Sequence, residues 1–238
     1  MEVAHMLLYE GKAKQIYQTE EPGVLRISYK DEATAFNGEK KDTLLGKGRL
    51  NNEISSLIFS ILKEAGVESH FVRRLSETEQ LVKEVTIIPL EVVVRNVAAG
   101  SLVKRLGFER GHKLKTPLVE WYYKDDALGD PLLAEAHIKE LALATPEELA
   151  QMQQMALRVN EELQKLFATI NVDIVDFKLE FGKTNGEILL ADEISPDTCR
   201  LWDKDTGDSF DKDLFRFQQG DLQEGYETIL SRLIEAHS

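Results

Sequence analysis

The stretch DFKLEFGKTNGEILLADEISPDTCRLWD, residues 176–203, sets acids and bases at a spacing that suits chemistry. Asp176, Lys178 and Glu180 stand two residues apart, interleaved with Val175, Phe177, Leu179 and Phe181. A strand turns successive side chains to opposite faces, so the apolar row points inward and a lysine flanked by two acids lines the other face. After a turn come Asp192, Glu193, Asp197 and Arg200. Carboxylates that share a cleft are the hard oxygen ligands Mg²⁺ takes when it bridges phosphate oxygens. A lysine among them neutralises either its neighbours or an incoming phosphate or carboxylate. Two readings therefore stand side by side: a solvated polar strand laced with salt bridges, or the wall of a magnesium- and anion-binding cleft.

The geometry of that hairpin decides how close the acids come. Residues 174–181 and 187–194 read as strands joined by GKTNG, whose glycines and asparagine suit a reversal. A register that pairs Phe181 with Glu187 sets Asp192 opposite Asp176. Glu180 is then four strand residues away, about 13 Å at roughly 3.3 Å per residue. On that register only a bulge, a longer turn or ligands approaching from different directions lets Glu180 and Asp192 share a cation.

Two further segments carry groups of the same kind. YEGKAKQIY, residues 9–17, places Gly11 between two strand-like pieces with Lys12 and Lys14 beside it. The lysines either meet phosphates or decorate a solvated hairpin; the spacing is not that of a P-loop. In VVVRNVAAGSLVKRLG, residues 92–107, Arg95 and Ser101 offer a guanidinium fork and a hydroxyl to an oxyanion, and Gly100 permits close approach. The alternative is structural, with Arg105 on a solvated helical face. The five histidines show no zinc-like spacing, and His5 and His237 lie near the ends. Cys199 is the single cysteine, so there is no intrachain disulfide, no multi-cysteine metal site and no histidine partner for thiol catalysis. Trp121 and Trp202 either flank a ligand or fill the core and its rim.

Elements must hold these groups in place. MLLYEGKAKQIYQ reads as two short strands about Gly11, VLRISYK (24–30) as a third, and TIIPLEVVVRN (86–96) as a strand. Pro89 in that strand argues for an edge or a change of direction. Leu50, Ile54, Leu57, Ile58 and Ile61 recur at helical spacing with Gly66 beyond them. Thr145, Pro146 and Glu148 form an N-cap, a first-turn proline and a capping box for a helix whose apolar stripe is Leu149, Met152, Ala156, Val159, Leu163 and Leu166. A last amphipathic helix spans about Leu222–Glu235, with Tyr226, Ile229, Leu230 and Leu233 inward.

The 238 residues suffice for a sizeable core in one domain or two closely packed ones. A formal net charge of −13 argues against long contacts with nucleic acid or an anionic membrane, yet it leaves room for a local basic pocket. No apolar run approaches the roughly 20 residues needed to span a bilayer. With no disulfide framework and no signal segment, the expected setting is a reducing cytoplasm.

EGKAKQIY, VVVRNVAAGSLVKRLG, VDFKLEFG and DEISPDTCRLWD, in this order, resemble the SAICAR synthetases, the phosphoribosylaminoimidazole-succinocarboxamide synthase family of purine biosynthesis. The resemblance runs from residue 9 through the C-terminal region. It implies an α+β, two-part fold related to ATP-grasp enzymes and reminiscent of protein kinases. A smaller N-terminal part, residues 1–88, would cover the nucleotide, and a larger part, residues 89–238, would hold substrate and metal. The implied reaction joins the carboxylate of CAIR, a phosphorylated aminoimidazole ribonucleotide, to the amine of L-aspartate through an acyl phosphate, with ATP and Mg²⁺ and without an enzyme nucleophile; Ser195 has no such role.

By the same resemblance, Lys12, Ala13 and Lys14 form the ATP-phosphate loop, Lys12 foremost. Lys83 reaches ATP, and the backbone from Val82 to Val85 lines the adenine. Glu180 and Asp192 are the magnesium ligands. Arg95, Ser101 and Arg200 hold the CAIR phosphate or carboxylate, and Asp176 and Lys178 orient the imidazole or the aspartate; Asp176, Lys178 and Arg200 form the catalytic group. Asp130 either extends the polar network or remains a turn acid, and Asp197 either orients Arg200 or caps a turn. The family also implies a homo-oligomer, a homodimer in the simplest case.

Overall fold

The computed structural model of the chain describes residues 6–35 and 40–237, so His5 lies outside the described residues. In chain order come β1 (Leu7–Glu10), β2 (Lys14–Gln18), β3 (Val24–Tyr29), β4 (Glu32–Ala35), β5 (Lys40–Thr43), α1 (Lys47–Glu64), β6 (Phe71–Arg74), β7 (Glu79–Lys83) and β8 (Thr86–Val97). There follow α2 (Gly100–Leu106), β9 (Lys113–Tyr123), a 3₁₀ turn (Asp126–Leu128), β10 (Leu132–Leu133), α3 (Glu135–Glu140) and α4 (Pro146–Ala168). The last are β11 (Val172–Thr184), β12 (Glu187–Ala191), β13 (Cys199–Asp203), α5 (Asp213–Phe217) and α6 (Leu222–Ala236). The first sheet has the order β1-β2-β3-β7-β6; the second runs β10-β9-β8-β11-β12, with β13 also on β11. Antiparallel sheets with segregated helices make this an α+β fold.

Local chemistry starts the helices where the sequence signals them. Thr145 Oγ1 accepts from the Glu148 N–H and Glu148 Oε2 from the Thr145 N–H, closing the capping box with Pro146 in the first turn. The stripe from Leu149 to Leu166 is buried as the periodicity requires. α6 buries Tyr226, Ile229, Leu230 and Leu233, and Asp221 caps it by accepting from the Gln223 and Glu224 N–H groups.

These helices cover one face of the second sheet. Ile54, Ile58 and Phe59 of α1, Met152 and Leu163 of α4, and Ile229 and Leu233 of α6 join Val92, Val94, Phe177, Leu179 and Phe181 in one buried cluster. The first sheet keeps a small core of its own, Ile27, Tyr29 and Val82 with Ile16 and Leu25 against it. By packing, α1 belongs to the larger core although it lies among the first 88 residues. Among the described residues no helix is long and apolar enough to cross a membrane.

Two expectations change. β8 is the central strand of its sheet rather than an edge, and Pro89 is accommodated by an irregularity in the β8–β11 ladder between Glu180 and Gly182. The β11–β12 hairpin turns on only two residues, Asn185 and Gly186, both at positive φ (50° and 81°). That is the geometry an Asn-Gly hairpin favours. It pairs Thr184 with Glu187, Phe181 with Leu190 and Glu180 with Ala191. Asp192 therefore follows directly on the partner of Glu180, and the separation of about 13 Å on the simple register is removed.

Phe167, 1% exposed at the end of α4, provides a test of this core. Phe167→Ala is expected to cost roughly 3–5 kcal/mol in urea unfolding, against less than about 0.5 kcal/mol for Gln153→Ala on the exposed face.

Candidate active site

The second sheet turns its polar face to a cleft of about 880 Å³, walled on the other side by the first sheet and the loop at Gly11–Lys14. The register builds that face. Asp176 of β11 stands between Arg95 of β8 and Arg200 of β13, and Glu180 is paired with Glu91. The intervening Val175, Phe177, Leu179 and Phe181 are buried.

At one end three ammonium groups interleave with four carboxylates. Lys178 Nζ lies 2.5 Å from Glu180 Oε1, 2.9 Å from Asp192 Oδ2 and 3.7 Å from Glu91 Oε1. Lys14 Nζ is 2.5 Å from Asp192 Oδ1 and 2.8 Å from Glu193 Oε1. Lys124 reaches the same Glu180 oxygen at 2.9 Å. Burial by itself would lower both Lys14 and Lys178, but the carboxylates outweigh it and hold both ammonium groups well above the usual lysine range. Burial likewise works to raise Asp192, and Lys14 and Lys178 overcome it, so that carboxyl sits well below its ordinary value. Glu91 is raised by burial, which Lys178 offsets only in part.

Backbone strain marks Asp192, a non-glycine residue at φ 57°. The left-handed turn ends β12 and brings the carboxylate to the ammonium of Lys178. His70 secures the turn from behind: its Nε2 lies 3.0 Å from the Asp192 carbonyl. Burial pushes the His70 imidazole down to about 4, so at neutral pH it is uncharged and donates through Nε2–H.

The other end is built on guanidinium groups. Arg95 donates from Nε to Glu120, from Nη1 to Asp176 and from Nη2 to Ser101 Oγ and Tyr122. Arg200 donates from Nη1 to both oxygens of Asp176 and from Nε to Asp213 Oδ2, while Asp213 Oδ1 accepts from Arg216. The Nη2 edge of Arg200 is not used in these bonds. Gly100 explains how Arg200 fits: a Cβ there would stand 2.6 Å from Nη2, on a backbone at φ 53°. Lys212 lines the same end, lowered by burial that Asp197, 3.9 Å away, offsets only in part.

The residues that the resemblance assigned to ATP, metal and substrate all line this one cleft: Lys12, Ala13, Lys14, Val82, Lys83, Val85, Arg95, Ser101, Asp176, Lys178, Glu180, Asp192 and Arg200. Their detailed surroundings differ from the simplest expectation. Arg95 spends most of its donors on protein partners, so it braces Asp176 and Ser101 more than it presents an open fork. Lys12 pairs with Asp126 at 2.9 Å across the mouth. Asp130 lines the cleft and also serves as a turn acid, accepting from the Asp125 N–H. Asp197 neither orients Arg200 nor caps a turn; its side chain accepts from Tyr226 and pairs at 2.7 Å with Lys47, 1% exposed at the start of α1. Trp121 is core, and Trp202 carries the Arg110 guanidinium on its ring.

Several cleft groups escaped the sequence reading. Glu91 obeys, with the already named Arg95, the same period of two that exposed Asp176, Lys178 and Glu180, and Lys212 and Arg216 share a helical face at i, i+4. Those signals were present. Lys124 and His70 have none, since their partners come from distant segments.

The acidic end suits a divalent cation. Glu180 and Asp192 offer hard oxygens that already converge on one cationic centre, the Lys178 ammonium. No group of three or more His, Cys, Asp or Glu side chains among the described residues forms a complete cage. Mg²⁺ matches such a pair, because it is commonly held by one or two carboxylates together with phosphate oxygens and water.

Comparison with known proteins agrees over nearly the whole chain. The SAICAR synthetase family pattern matches residues 7–233. A phosphoribosylaminoimidazole-succinocarboxamide synthase of Shouchella clausii is 69% identical over 228 residues, 95% of each chain. A crystal structure of the synthase from Ehrlichia chaffeensis superposes with a TM-score of 0.94 at 45% identity, covering 96% of this chain and 98% of that one. A SAICAR synthetase in complex with ADP gives 0.92 at 48% identity, covering 94% and 96%.

The Lys47–Asp197 pair yields a stability test. Lys47→Met leaves a buried carboxylate without its closest cation and is expected to cost about 3–5 kcal/mol in urea unfolding. Adding Asp197→Asn should recover much of that loss; no recovery would show that Lys47 acts by packing alone.

Proposed function

From the premise that this chain belongs to the SAICAR synthetase family and so ligates L-aspartate to CAIR with ATP, we propose which groups of the cleft carry each part of the reaction. The observation that carries the proposal is the single polar face on which Lys14, Lys178, Glu180 and Asp192 stand at one end and Arg200 at the other.

ATP lies along the first sheet. The backbone from Val82 to Val85 and the apolar wall of Ile16, Leu25 and Ile27 receive the adenine, as befits a planar base. Lys12, Ala13 and Lys14 receive the phosphates, with Lys83 nearby. For Lys12 this means exchanging Asp126 for phosphate, an inexpensive step because the pair is exposed. Glu180 and Asp192 hold Mg²⁺, which when bound supplies charge neutralisation at the phosphate oxygens.

CAIR lies across β11. Arg200 and Ser101, braced by Arg95, hold its phosphate, and Lys212 and Arg216 add positive charge to that end. Asp176 fixes Arg200 and orients the imidazole. The CAIR carboxylate then faces Lys178, at the end where the γ-phosphate arrives.

A carboxylate is a poor electrophile, so activation must precede amide formation. A carboxylate oxygen attacks the γ-phosphorus and ADP leaves, giving an acyl phosphate. The neutral amine of aspartate attacks the acyl carbon, a proton is lost from nitrogen, and phosphate departs with the oxygen that came from CAIR. Lys178 offsets the negative charge of carboxylate and transferring phosphoryl group brought together, and the sheet supplies the alignment. Division at residues 88 and 89, a homodimeric state and a cytoplasmic setting complete the reading. They rest on the family resemblance.

Mass-resolved products with each reactant omitted in turn test the assignment as a whole. SAICAR with equal amounts of ADP and phosphate is expected only when ATP, CAIR and L-aspartate are all present; phosphorylated CAIR accumulating as the final product would reject it. Asp192→Asn should retain the fold and lower kcat by at least about a hundredfold, with a steeper requirement for Mg²⁺. Turnover that stays unchanged across limiting Mg²⁺ would remove Asp192 from the metal. Arg200→Lys should raise the KM for CAIR about tenfold or more and leave that for ATP near wild type, because lysine cannot reproduce a guanidinium fork. Equal KM values for CAIR in both proteins would contradict the assignment.

A further inference from the structure

The CAIR end is held in place by a carboxylate that does not line the cleft. Asp211 is fully buried, at 0% exposure. Its Oδ2 accepts from the Leu201 N–H and its Oδ1 from the Asp213 N–H, both at 2.8 Å. Leu201 is the residue after Arg200 on β13, and Asp213 is the partner of both Arg200 Nε and Arg216 Nη1. We propose that Asp211 is a positioning residue for CAIR: by tying the main chain beside Arg200 to the main chain of Asp213, it fixes the guanidinium groups that grip the substrate.

The choice of side chain supports this role. Two backbone N–H groups from different segments converge on one point, and a carboxylate can accept from both, whereas an amide has one acceptor oxygen. The arrangement is costly, because burial, with Asp213 adding to it, pushes the Asp211 carboxyl up to about 7. The charged and titratable groups facing it are Asp213 from its own turn, Arg200 and Cys199 from β13, and Tyr226 from α6. Only Arg200 among them is positive. A group held at that cost, and joined to the site through Arg200 and Asp213, acts on substrate geometry.

The inference rests on the reading of Arg200 as a CAIR ligand. In the Asp211→Asn variant the amide NH₂ must face one of the two N–H groups, so one tie breaks. The KM for CAIR is expected to rise about tenfold, the worth of one buried hydrogen bond, with the KM for Mg-ATP within about twofold and kcat within about threefold. An unchanged or lower KM for CAIR would overturn the proposal, as would an equal rise for ATP, which would indicate general loosening. If Arg200→Lys raises the KM for CAIR and Asp211→Asn does not, the role of Arg200 stands and this inference falls. If neither variant moves it, the reading of Arg200 fails as well.

A second arm uses the unmodified protein and does not depend on the variant folding. Inorganic sulfate keeps its charge between pH 8 and 6 and is the anion whose competition with CAIR is measured. As pH falls through about 7, Asp211 takes up a proton and an acceptor becomes a hydroxyl. The Ki of sulfate against CAIR is therefore expected to rise severalfold over that interval. A flat or falling Ki contradicts the proposal.

Discussion

The Lys178 ammonium, held between the carboxylates of Glu180 and Asp192, sets the terms for the rest of the structure. Glu180 is buried and Lys178 and Asp192 are only part-exposed, and charges withdrawn from water in this way are favoured when they are paired and hydrogen-bonded, so the fold gains by bringing those three groups together. Each unusual feature nearby serves that requirement. The Asn185–Gly186 turn chooses the register that puts Asp192 next to Glu180, a left-handed backbone at Asp192 aims its side chain, and a neutral His70 holds the carbonyl behind it. Lys14 arrives from the first sheet to share Asp192, so one carboxylate also ties the two sheets together.

The same logic extends along β11 to the opposite end. Asp176 is gripped from β8 by Arg95 and from β13 by Arg200, and Arg200 is gripped in turn by Asp213. Two networks of charge pairs thus line the two ends of the cleft, with the apolar alternate residues of β11 sealing it from below. Prepositioned charge of this kind is what phosphoryl transfer and acyl transfer both need, since neither step here requires a covalent partner from the enzyme. The strongly acidic whole says little about this. Local cations set the potential where anionic reactants meet, and the excess of acids is spent elsewhere on the surface.

How much of this was legible in the sequence depended on range. The capping box at Thr145–Glu148 and the stripe of α4 needed only neighbours within a few turns, and both were readable to the residue. The alternation of β11 was equally local, and it exposed Asp176, Lys178 and Glu180 as one face. A five-residue turn at GKTNG gives the wrong hairpin register, because Asn-Gly alone makes the reversal. Pro89 misled for a related reason: a ladder irregularity absorbs it in mid-sheet, which no local rule specifies. Lys124, His70 and Lys47 lay beyond reach altogether. Their partners are long-range, Asp192 being 122 residues from His70, and only the packed fold brings them together.

The central claim is that this cleft brings the CAIR carboxylate to the phosphoryl-transfer end beside Lys178. CAIR carrying ¹⁸O in its carboxylate, turned over with Mg-ATP and L-aspartate, tests it most directly through the mass of the phosphate released. One ¹⁸O per phosphate is the expected result, because the oxygen that attacks phosphorus leaves with it. Phosphate free of label, with SAICAR still formed, would contradict activation of the carboxylate and with it the alignment assigned to the cleft.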